Sequence, residues 1–395
     1  MSTPTLVDLF APEWLADPYP FYRRLREDHP VYHDEVLRSW VVSRHGDIAA
    51  LSTDDRLTED RVTAFQARLT PETRRLMRPL AGLLTDMMLF ATGPRHAALR
   101  NMAKAGFSRR VVADLRASIE RRAAALCDEV LPRGEIDLVG DLSAPLTKAV
   151  IAEMLGLPPE HRHLLDDWQS LLHVYFTQSG AESGRLRRLR EVFDALAAQD
   201  EPPALLGHML AAGSPESRDP GVVFANFLLI IDAGQVTTTH QIPNAVRALL
   251  ADPGQLELLQ GRPELRATAA EELLRYDSAV QFTARTARED IELHGRTIPA
   301  GDQVTLLVGS GNRDEEAFAD PDRLDVTRDA KAHLSFGHGR HYCLGAALAL
   351  AETELVLGAL LSRTHGLRLT SARLEWHETI NFRFLKELPV AFEPR

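Results

Sequence analysis

The amino-acid sequence predicts a mainly α-helical protein with a small β region. Apolar residues recur at spacings of three and four over long stretches, which is the periodicity of helices that bury one face. A few short segments, each bounded by Gly, Pro or Asp, are predicted to be strands. Clusters of Gly, Pro and Ser are too short to serve as domain linkers. We therefore expect residues 1–395 to form a single domain.

Helical periodicity predicts helices over residues 97–130, 145–156, 183–199, 222–250, 263–276 and 345–363. The stretch 222–250 is apolar around most of its circumference, so it should run through the protein interior. Pro243 lies inside it and cannot donate a hydrogen bond to the carbonyl of Thr239, which predicts a bend or distorted turn. The predicted strands are Arg38–Ser43, Ile291–Ile298 with a His-Gly turn, and Gln303–Val308.

Composition and charge exclude several classes of protein. The chain has 45 Lys and Arg against 56 Asp and Glu, so its formal net charge is −11 and we expect no nucleic-acid partner. A hydrophobic fraction of 45% is too high for a disordered chain. The longest nearly uncharged apolar run, Val222–Ile231, is half of the ~20 residues that cross a bilayer.

The N-terminal sequence and the cysteines indicate the compartment. The first residues carry acids and prolines where a signal peptide needs a basic start and an apolar stretch, so we expect a cytoplasmic protein with no membrane segment. The two cysteines, Cys127 and Cys343, are too few for a disulfide framework. Cys127 lies on a helical pattern and is interpreted as a small core residue.

Residues 335–361 carry the strongest chemical signal. Gly337, Gly339 and Gly345 surround Cys343, and a long apolar helix is predicted directly after them. Glycines let the backbone approach a flat ligand, while the start of the helix directs N–H groups and its positive dipole end towards the sulfur. Such a site favours a thiolate, which suits an axial ligand of haem iron.

This loop resembles the haem loop of the cytochrome P450 family, whose pattern is Phe-Gly-x-Gly-x-His-x-Cys-x-Gly. The matching residues are Phe336, Gly337, Gly339, His341, Cys343 and Gly345. The resemblance covers nearly the whole chain and implies the P450 fold, with haem b (iron protoporphyrin IX) ligated by Cys343. It also implies that Phe336, His341 and Gly345 contact the cofactor, and that a ferredoxin or flavodoxin-type donor with its reductase supplies electrons.

Other residues match P450 positions at the expected order. Glu272 and Arg275 are three apart on one predicted helix, where the family has its Glu-x-x-Arg pair, and the resemblance implies a buried scaffold beneath the haem. Haem propionates are carboxylates and need cations. By resemblance, the cations are His96, Arg100, Arg285 and His341.

The predicted central helix departs from the family pattern Ala-Gly-x-acid-Thr. Ala233, Gly234 and Thr237 match it, and Ala233 is a candidate haem contact. Val236 stands where the acid is expected. In the family, that acid and the threonine deliver protons during dioxygen activation, so half of the pair is missing here.

Three interpretations of this departure remain open, with Thr237, Asp232 and Gln235 as candidate catalytic residues. In the first, Thr237 and ordered water suffice for oxygenation. In the second, Asp232 supplies the carboxylate, because it lies one turn before Val236 on the same helix face. In the third, the reaction needs less proton delivery, as in oxidative coupling, ring closure, desaturation or the use of peroxide.

The substrate pocket is inferred from the resemblance alone. The candidate pocket residues are Met88, Phe90, Asp232, Val236, Val280, Phe282 and Phe384, with the loop Leu57–Phe90 and the helix around Trp168–Val174 as walls. Phe384 stands where a glycine is common, and Met88 and Phe90 are equally compatible with plain core. A carboxylate at Asp232 facing an apolar pocket needs a partner, which is either a basic group on the substrate or a protein donor.

The sequence therefore predicts a haem-thiolate monooxygenase that oxidises a small to medium-sized organic substrate, as a tailoring step in secondary metabolism. The alternatives are a P450 that couples, cyclises or desaturates without inserting oxygen, and a non-catalytic haem-binding protein. Because the chain is acidic, an acidic electron donor needs a local basic patch. The candidates for this patch are Lys104, Arg109, Arg110 and Arg340.

Overall fold

Helices make up most of the structure and follow the apolar periodicity of the sequence. The computed structural model describes residues 4–166, 183–212 and 218–394. Its α-helices are α1 (Pro12–Ala16), α2 (Tyr19–Asp28), α3 (His45–Leu51), α4 (Arg61–Arg68), α5 (Pro71–Thr85), α6 (Gly93–Lys104), α7 (Arg109–Val130), α8 (Ala144–Leu155), α9 (Ser183–Ala197), α10 (Ala204–Ala211), α11 (Pro220–Ala251), α12 (Pro253–Gly261), α13 (Arg266–Tyr276), α14 (Val308–Gly311) and α15 (Ala346–Arg363).

Among the residues described, the β region forms three sheets of five, three and two strands. Its strands are β1 (Val31–Asp34), β2 (Ser39–Val42), β3 (Leu57–Thr58), β4 (Glu135–Asp137), β5 (Thr283–Ala287), β6 (Ile291–Leu293), β7 (Arg296–Ile298), β8 (Gln303–Leu306), β9 (Thr364–Leu369) and β10 (Pro389–Pro394). The sheets have the orders β1-β2-β8-β5-β3, β4-β10-β9 and β6-β7. The predicted hairpin forms, and its turn residues His294 and Gly295 both have positive φ, as a tight two-residue hairpin turn requires.

The helix predicted over residues 97–130 is interrupted in the structure. It divides into α6 and α7 at a short 3-10 turn, Ala105–Phe107. The chain leaves helical geometry at Ser108, whose ψ is 155° and whose hydroxyl accepts the N–H of Val111 over 3.4 Å, so Ser108 begins α7 as an N-cap. In the same turn Gly106 packs closely against α10, since a β-carbon there would lie 2.1 Å from the side chain of Leu205.

The apolar stretch predicted as an interior helix forms α11 without interruption. Pro243 leaves the carbonyl of Thr239 without its helical donor, and the hydroxyl of Ser143 donates to this carbonyl instead. Among the helices described, α11 alone is long and apolar enough to cross a membrane. However, 61% of its most apolar window is buried inside the protein, as in the core helix of a globular protein.

The described chain forms two compact units. The first contains residues 1–57, 116–146 and 237–395, and the second contains residues 58–115 and 147–236. In the first unit, the five-stranded sheet packs against α3 through an apolar cluster that includes Val42, Ile48 and Val304. The boundary between the units falls inside α11, between Val236 and Thr237, and the single domain stays a prediction.

A buried carboxylate joins distant segments of the first unit. Asp277 is fully buried and accepts hydrogen bonds from Tyr19 (2.7 Å), Arg247 (2.6 Å) and Arg383 (2.6 Å). Burial disfavours the charged carboxylate, but the guanidinium groups of Arg383 and Arg247 outweigh it and lower the pKa of Asp277 to about 2. Since the folded-state pKa is lowered, Asp277 stabilises the fold above the unfolded-state pKa near ~4, and this contribution is lost as pH falls towards 2.

We predict that Asp277→Asn lowers the free energy of unfolding by about 3–5 kcal/mol at neutral pH, because two buried cations lose their counter-charge. Urea denaturation measures this loss. The matched control is Asp329→Asn, since the side chain of Asp329 is 79% exposed, and it should change stability by less than about 0.5 kcal/mol. Equal effects of the two substitutions would contradict the assigned role of Asp277.

Glu352 on α15 is also a buried carboxyl group, but unlike Asp277 it is protonated rather than charged at neutral pH. It is 2% exposed, and its Oε1 has no hydrogen-bond partner among the residues described. Burial raises the pKa of Glu352 to about 8, so the group is largely protonated at neutral pH. Because the folded-state pKa of Glu352 is raised, this group does not reduce the stability of the fold below the unfolded-state pKa. The stability of the fold then declines as pH rises towards 8.

We expect Glu352→Gln to remove this decline, because an amide cannot ionise. At pH 8 the variant should exceed the wild type in free energy of unfolding by roughly 2–4 kcal/mol, and the two should converge near pH 5. The measurement is a series of denaturation curves from pH 5 to pH 8. Glu378→Gln, at an exposed position, is the control that should follow the wild-type profile. If the free energy of unfolding of Glu352→Gln changed with pH in the same way as that of the wild type, the carboxyl group would not ionise between pH 5 and pH 8.

Candidate active site

Backbone hydrogen bonds close the loop that carries Cys343. The N–H of Cys343 donates to the carbonyl of Phe336 over 2.8 Å. Gly337 and Gly339 have φ angles of 73° and 74°, in the left-handed region that favours glycine. A β-carbon at Gly339 would also lie 2.5 Å from the side chain of Thr53. The loop conformation therefore depends on these two glycines.

The sulfur-bearing residue lies where a thiolate is favoured. Cys343 is exposed and stands two residues before Gly345, the N-cap of α15. The positive end of that helix favours an anion at this position. Cys127 is buried, and burial raises the pKa of its thiol to about 11. With only two cysteines in the chain, Cys343 is the thiolate candidate.

The loop is anchored on two helices. Phe336 is 8% exposed and packs with Leu274 of α13 and Ala346 of α15. Its ring also lies 5.3 Å from that of His333 and 6.1 Å from that of Tyr342. These contacts position the start of the loop on the helix that carries the Glu-x-x-Arg pair.

The predicted pair of Glu272 and Arg275 forms a fully buried, bidentate ion pair. Nε and Nη2 of Arg275 donate to the two carboxylate oxygens of Glu272 over 2.6 and 2.8 Å. The remaining nitrogen, Nη1, donates to the carbonyls of Asn312 and Pro321 at 2.8 Å each. Glu272 also accepts a hydrogen bond from Nε of Arg328 at 3.2 Å. The pair is thus hydrogen-bonded on both sides, as a buried scaffold requires.

Asn312 connects this pair to the cysteine loop, and sequence reasoning did not single it out. Its Oδ1 accepts the N–H of Leu334 (2.6 Å), and its Nδ2 donates to the hydroxyl of Ser335 (2.8 Å). The Ser335 hydroxyl in turn donates to the carbonyl of Leu274 over 2.9 Å. The available signal was the position of Asn312 in a polar segment shortly before the loop.

One stripe of α11 is less buried than the rest of the helix. Ala233 is exposed, and Val236, Thr237 and His240 are partly buried. These residues recur at spacings of three and four, so they share one helix face. In contrast, Asp232 is 4% exposed. Asp232 lies one turn before Val236, beside the stripe, but it is itself buried.

Gln235 also lies on the buried side of α11. Its exposed fraction is 9%, and its Nε2 donates to the carbonyl of Leu165 over 3.0 Å. Its Oε1 has no hydrogen-bond partner within the described part of the chain. Beside it, a β-carbon at Gly234 would lie 2.5 Å from Ile151. Both residues therefore hold α11 against neighbouring segments of the second unit.

His240 on α11 stacks on aromatic rings of the C-terminal segment. Its ring lies 4.1 Å from that of Phe384 with an interplanar angle of 15°, and Phe384 stacks on Phe382 at 4.7 Å. Burial lowers the pKa of His240 to about 3, with a further contribution from His377, so the imidazole is neutral. Phe384 is 7% exposed, and the stack accommodates its large ring.

The other candidate residues of the second unit are buried or partly buried. His96 is 4% exposed and Arg100 is partly buried, and both lie on α6. Met88 and Phe90 follow α5 and are 8% and 3% exposed. The N–H of Met88 is held by Oδ1 of Asn226 at 2.8 Å.

In the first unit, three candidate residues lie on or beside β5. Arg285 is part of β5 and 8% exposed. Phe282 precedes the strand and is partly buried against an apolar cluster. Val280 forms an isolated β-bridge with Phe382, and His341 in the cysteine loop is partly buried.

Parts of two predictions lie outside the described residues. These are the pocket helix around Trp168–Val174 and the side chain of Arg109. Of the other cations in the predicted donor patch, Lys104 and Arg110 are exposed, and Arg340 is exposed and forms an ion pair with Asp55.

The donor set of the loop fits haem. Among the residues described, no group of three His, Cys, Asp or Glu side chains could hold a metal ion. In the cysteine loop, the thiolate of Cys343 is the side chain that would hold the haem iron. One thiolate next to a helix N-terminus, on a loop whose glycines add no side chains, suits an axially ligated haem iron.

Comparisons with known proteins support the same conclusion. The cytochrome P450 family model matches residues 230–365. The biotin biosynthesis cytochrome P450 of Bacillus subtilis is 35% identical, over 96% of this chain and 98% of that protein. Cyclomarin C epoxidase of Salinispora arenicola is 34% identical, over 96% and 95% of the two chains.

A solved structure agrees over the whole chain. The crystal structure of P450BioI with an acyl carrier protein ligated to hexadec-9Z-enoic acid has a TM-score of 0.87 and 34% identity, covering 97% of this chain and 99% of that one. Sequence identity and fold thus coincide over nearly the full length. The chain belongs to the cytochrome P450 family, and it is a haem b monooxygenase with the P450 fold.

Proposed function

We propose that Cys343 is the axial thiolate of the haem iron and that the Glu272–Arg275 pair holds its loop in place. Exposure of Cys343 at the start of α15 supports the first assignment. The hydrogen bonds from Arg275 through Asn312 to Leu334 support the second. When bound, the haem supplies dioxygen activation, and the thiolate tunes it by donating electron density.

His96, Arg100, Arg285 and His341 are proposed to neutralise the haem propionates, while Phe336, Ala233 and Gly345 contact the macrocycle. Arg285 supports this role, because its guanidinium keeps its charge while only 8% exposed and a nearby anion would stabilise that charge. His96, Arg100, Arg285 and His341 each have an interaction within the protein, so the propionates would join existing contacts.

Thr237 is the group proposed to hold and move protons on the dioxygen side. Its place on the less buried stripe of α11, beside Ala233 and Val236, supports the interpretation in which its hydroxyl and ordered water suffice. Asp232 is buried and has an interaction partner in the protein, which favours a structural carboxylate over one that binds an amine of the substrate. The amine-bearing substrate accordingly stays an alternative.

The proposed substrate is a small to medium-sized, largely apolar organic molecule, oxidised as a tailoring step of secondary metabolism in the cytoplasm. Similarity to cyclomarin C epoxidase supports this class. The pocket residues Met88, Phe90, Val236, Val280, Phe282 and Phe384 are apolar. Electrons come from a separate redox partner, which we propose to be of the ferredoxin or flavodoxin type.

Replacement of Cys343 tests the ligand assignment. Cys343→Ser should bind haem without the strongly red-shifted Soret band that a thiolate gives in the reduced carbon monoxide complex, because an alcohol donates less charge to iron. The absorption spectrum of the purified protein is the measurement. Cys127→Ala is the matched control and should keep the band, since Cys127 is a buried thiol. An unchanged spectrum in Cys343→Ser would rule out Cys343 as the ligand.

Val236 supports a second candidate function, oxidative coupling or ring closure without oxygen insertion. A valine cannot relay a proton, and such chemistry needs less proton delivery. Turnover under oxygen-18 gas separates the two functions, because a monooxygenase labels its product and a coupling enzyme does not.

Variants at these positions sharpen the comparison. For a monooxygenase, Val236→Asp should raise the fraction of electrons that reach product, and Thr237→Ala should lower it about 10-fold or more as peroxide is released. The ratio of product to NAD(P)H consumed measures this fraction. Unlabelled product together with no effect of either substitution would favour coupling.

A further inference from the structure

The segment 61–85 has a charge opposite to that of the whole protein. It contains α4 and α5, and it carries five arginines and one acidic residue, Glu72. The protein as a whole has a formal net charge of −11. A local concentration of arginine in an acidic protein creates a surface that attracts anions and repels further copies of the same cationic surface.

Four of the arginines and one leucine form what we call the arginine patch: Arg68, Arg74, Arg75, Leu76 and Arg78. All of them are exposed. Arg75 and Arg78 are three apart on α5 and so share a face, and neither forms an ion pair with a described residue. Nε and Nη2 of Arg74 donate to the carbonyls of Gln66 and Leu69, which fixes it against α4.

Leu76 makes this patch resemble a protein interface more than a site for small anions. Its side chain is 78% exposed, the highest value among the large exposed hydrophobic residues of the described chain. Leu76 follows Arg75 directly on α5, so a partner that contacts Arg75 also reaches an apolar anchor that can be desolvated, next to a group that forms bidentate contacts to carboxylates and phosphates. A free inorganic anion would not use the leucine.

The position of α5 indicates whether a protein docked on it would supply substrate or electrons. Its inner face buries Met77, Leu80 and Leu84, and the chain continues directly to Met88 and Phe90, which we propose as pocket walls. A protein docked on the outer face of α5 is therefore next to the substrate side of the enzyme. An electron donor instead needs the thiolate loop, which carries Arg340 and Tyr342.

We propose that the arginine patch docks an acidic carrier protein that presents the substrate covalently attached to it. This inference rests on the proposed function, because it assumes the pocket behind α5. Carboxylates of the carrier and the phosphate of its prosthetic arm pair with Arg75 and Arg78, and an apolar residue of the carrier covers Leu76. The enzyme then receives a tethered substrate, whose free form binds more weakly.

The test uses an acyl carrier protein loaded with a hexadecanoyl chain as the probe, with free hexadecanoic acid as the comparison. The double variant Arg75→Glu with Arg78→Glu should weaken binding of the loaded carrier about 10-fold or more at low salt and reduce its salt dependence. Leu76→Ser should weaken it several-fold at all salt concentrations. Binding of free hexadecanoic acid should be unchanged in each variant.

The matched control is Arg121→Glu with Arg373→Glu, which makes the same change in net charge at two other exposed positions. Calorimetry of the haem-loaded protein gives the affinities without turnover, and the carbon monoxide spectrum reports separately on the haem site. The proposal is overturned if the wild type does not bind the loaded carrier, or if the patch variant binds it as the control does. It is also overturned if the patch variant raises only the apparent KM for a ferredoxin, because the patch would then serve the electron donor.

Discussion

The buried ion pair between Glu272 and Arg275 is the interaction on which the geometry of the cysteine loop depends. Removing two charges from water costs several kcal/mol for each ion, and the cost is offset only when every donor and acceptor is used. Arg275 meets this condition by holding the carbonyl of Asn312, whose side chain holds Leu334 at the start of the loop. A substitution that leaves either charge uncompensated should therefore also disturb the hydrogen bonds by which Asn312 holds the loop.

Sequence patterns revealed the parts of this site that depend on local chemistry, but not those that depend on packing between distant segments. The cysteine loop and the Glu-x-x-Arg pair are contiguous motifs, and the structure forms the loop and the buried ion pair at those residues. In contrast, the close approach of Gly106 to Leu205, between the α6–α7 turn and α10, is a contact that no local pattern encodes. The less buried stripe of α11 was equally inaccessible, because the sequence of a helix that is apolar around most of its circumference does not show which face is less buried.

The stripe on α11 and the residues around Cys343 have different polarity, and this difference suits their separate roles. The stripe presents small or apolar groups together with one hydroxyl, at Thr237. Beside Cys343, by contrast, lies the N-terminus of α15, whose positive end favours negative charge. The neutral imidazole of His240, stacked on Phe384, adds no charge to the stripe. The stripe is therefore uncharged, whereas the surroundings of Cys343 favour an anion.

The hydrogen bond that the hydroxyl of Ser143 donates to the carbonyl of Thr239 has an evolutionary consequence. Pro243 has no N–H, so one backbone hydrogen bond of α11 is missing. The hydroxyl of Ser143, far away in sequence, donates to the carbonyl that would have accepted it. The dependence runs one way, since a carbonyl oxygen can accept two hydrogen bonds and the serine would keep its acceptor beside an intact helix, whereas the proline without the serine would leave a buried carbonyl unpaired. Lineages that keep the proline should therefore also keep a donor at the position of the serine.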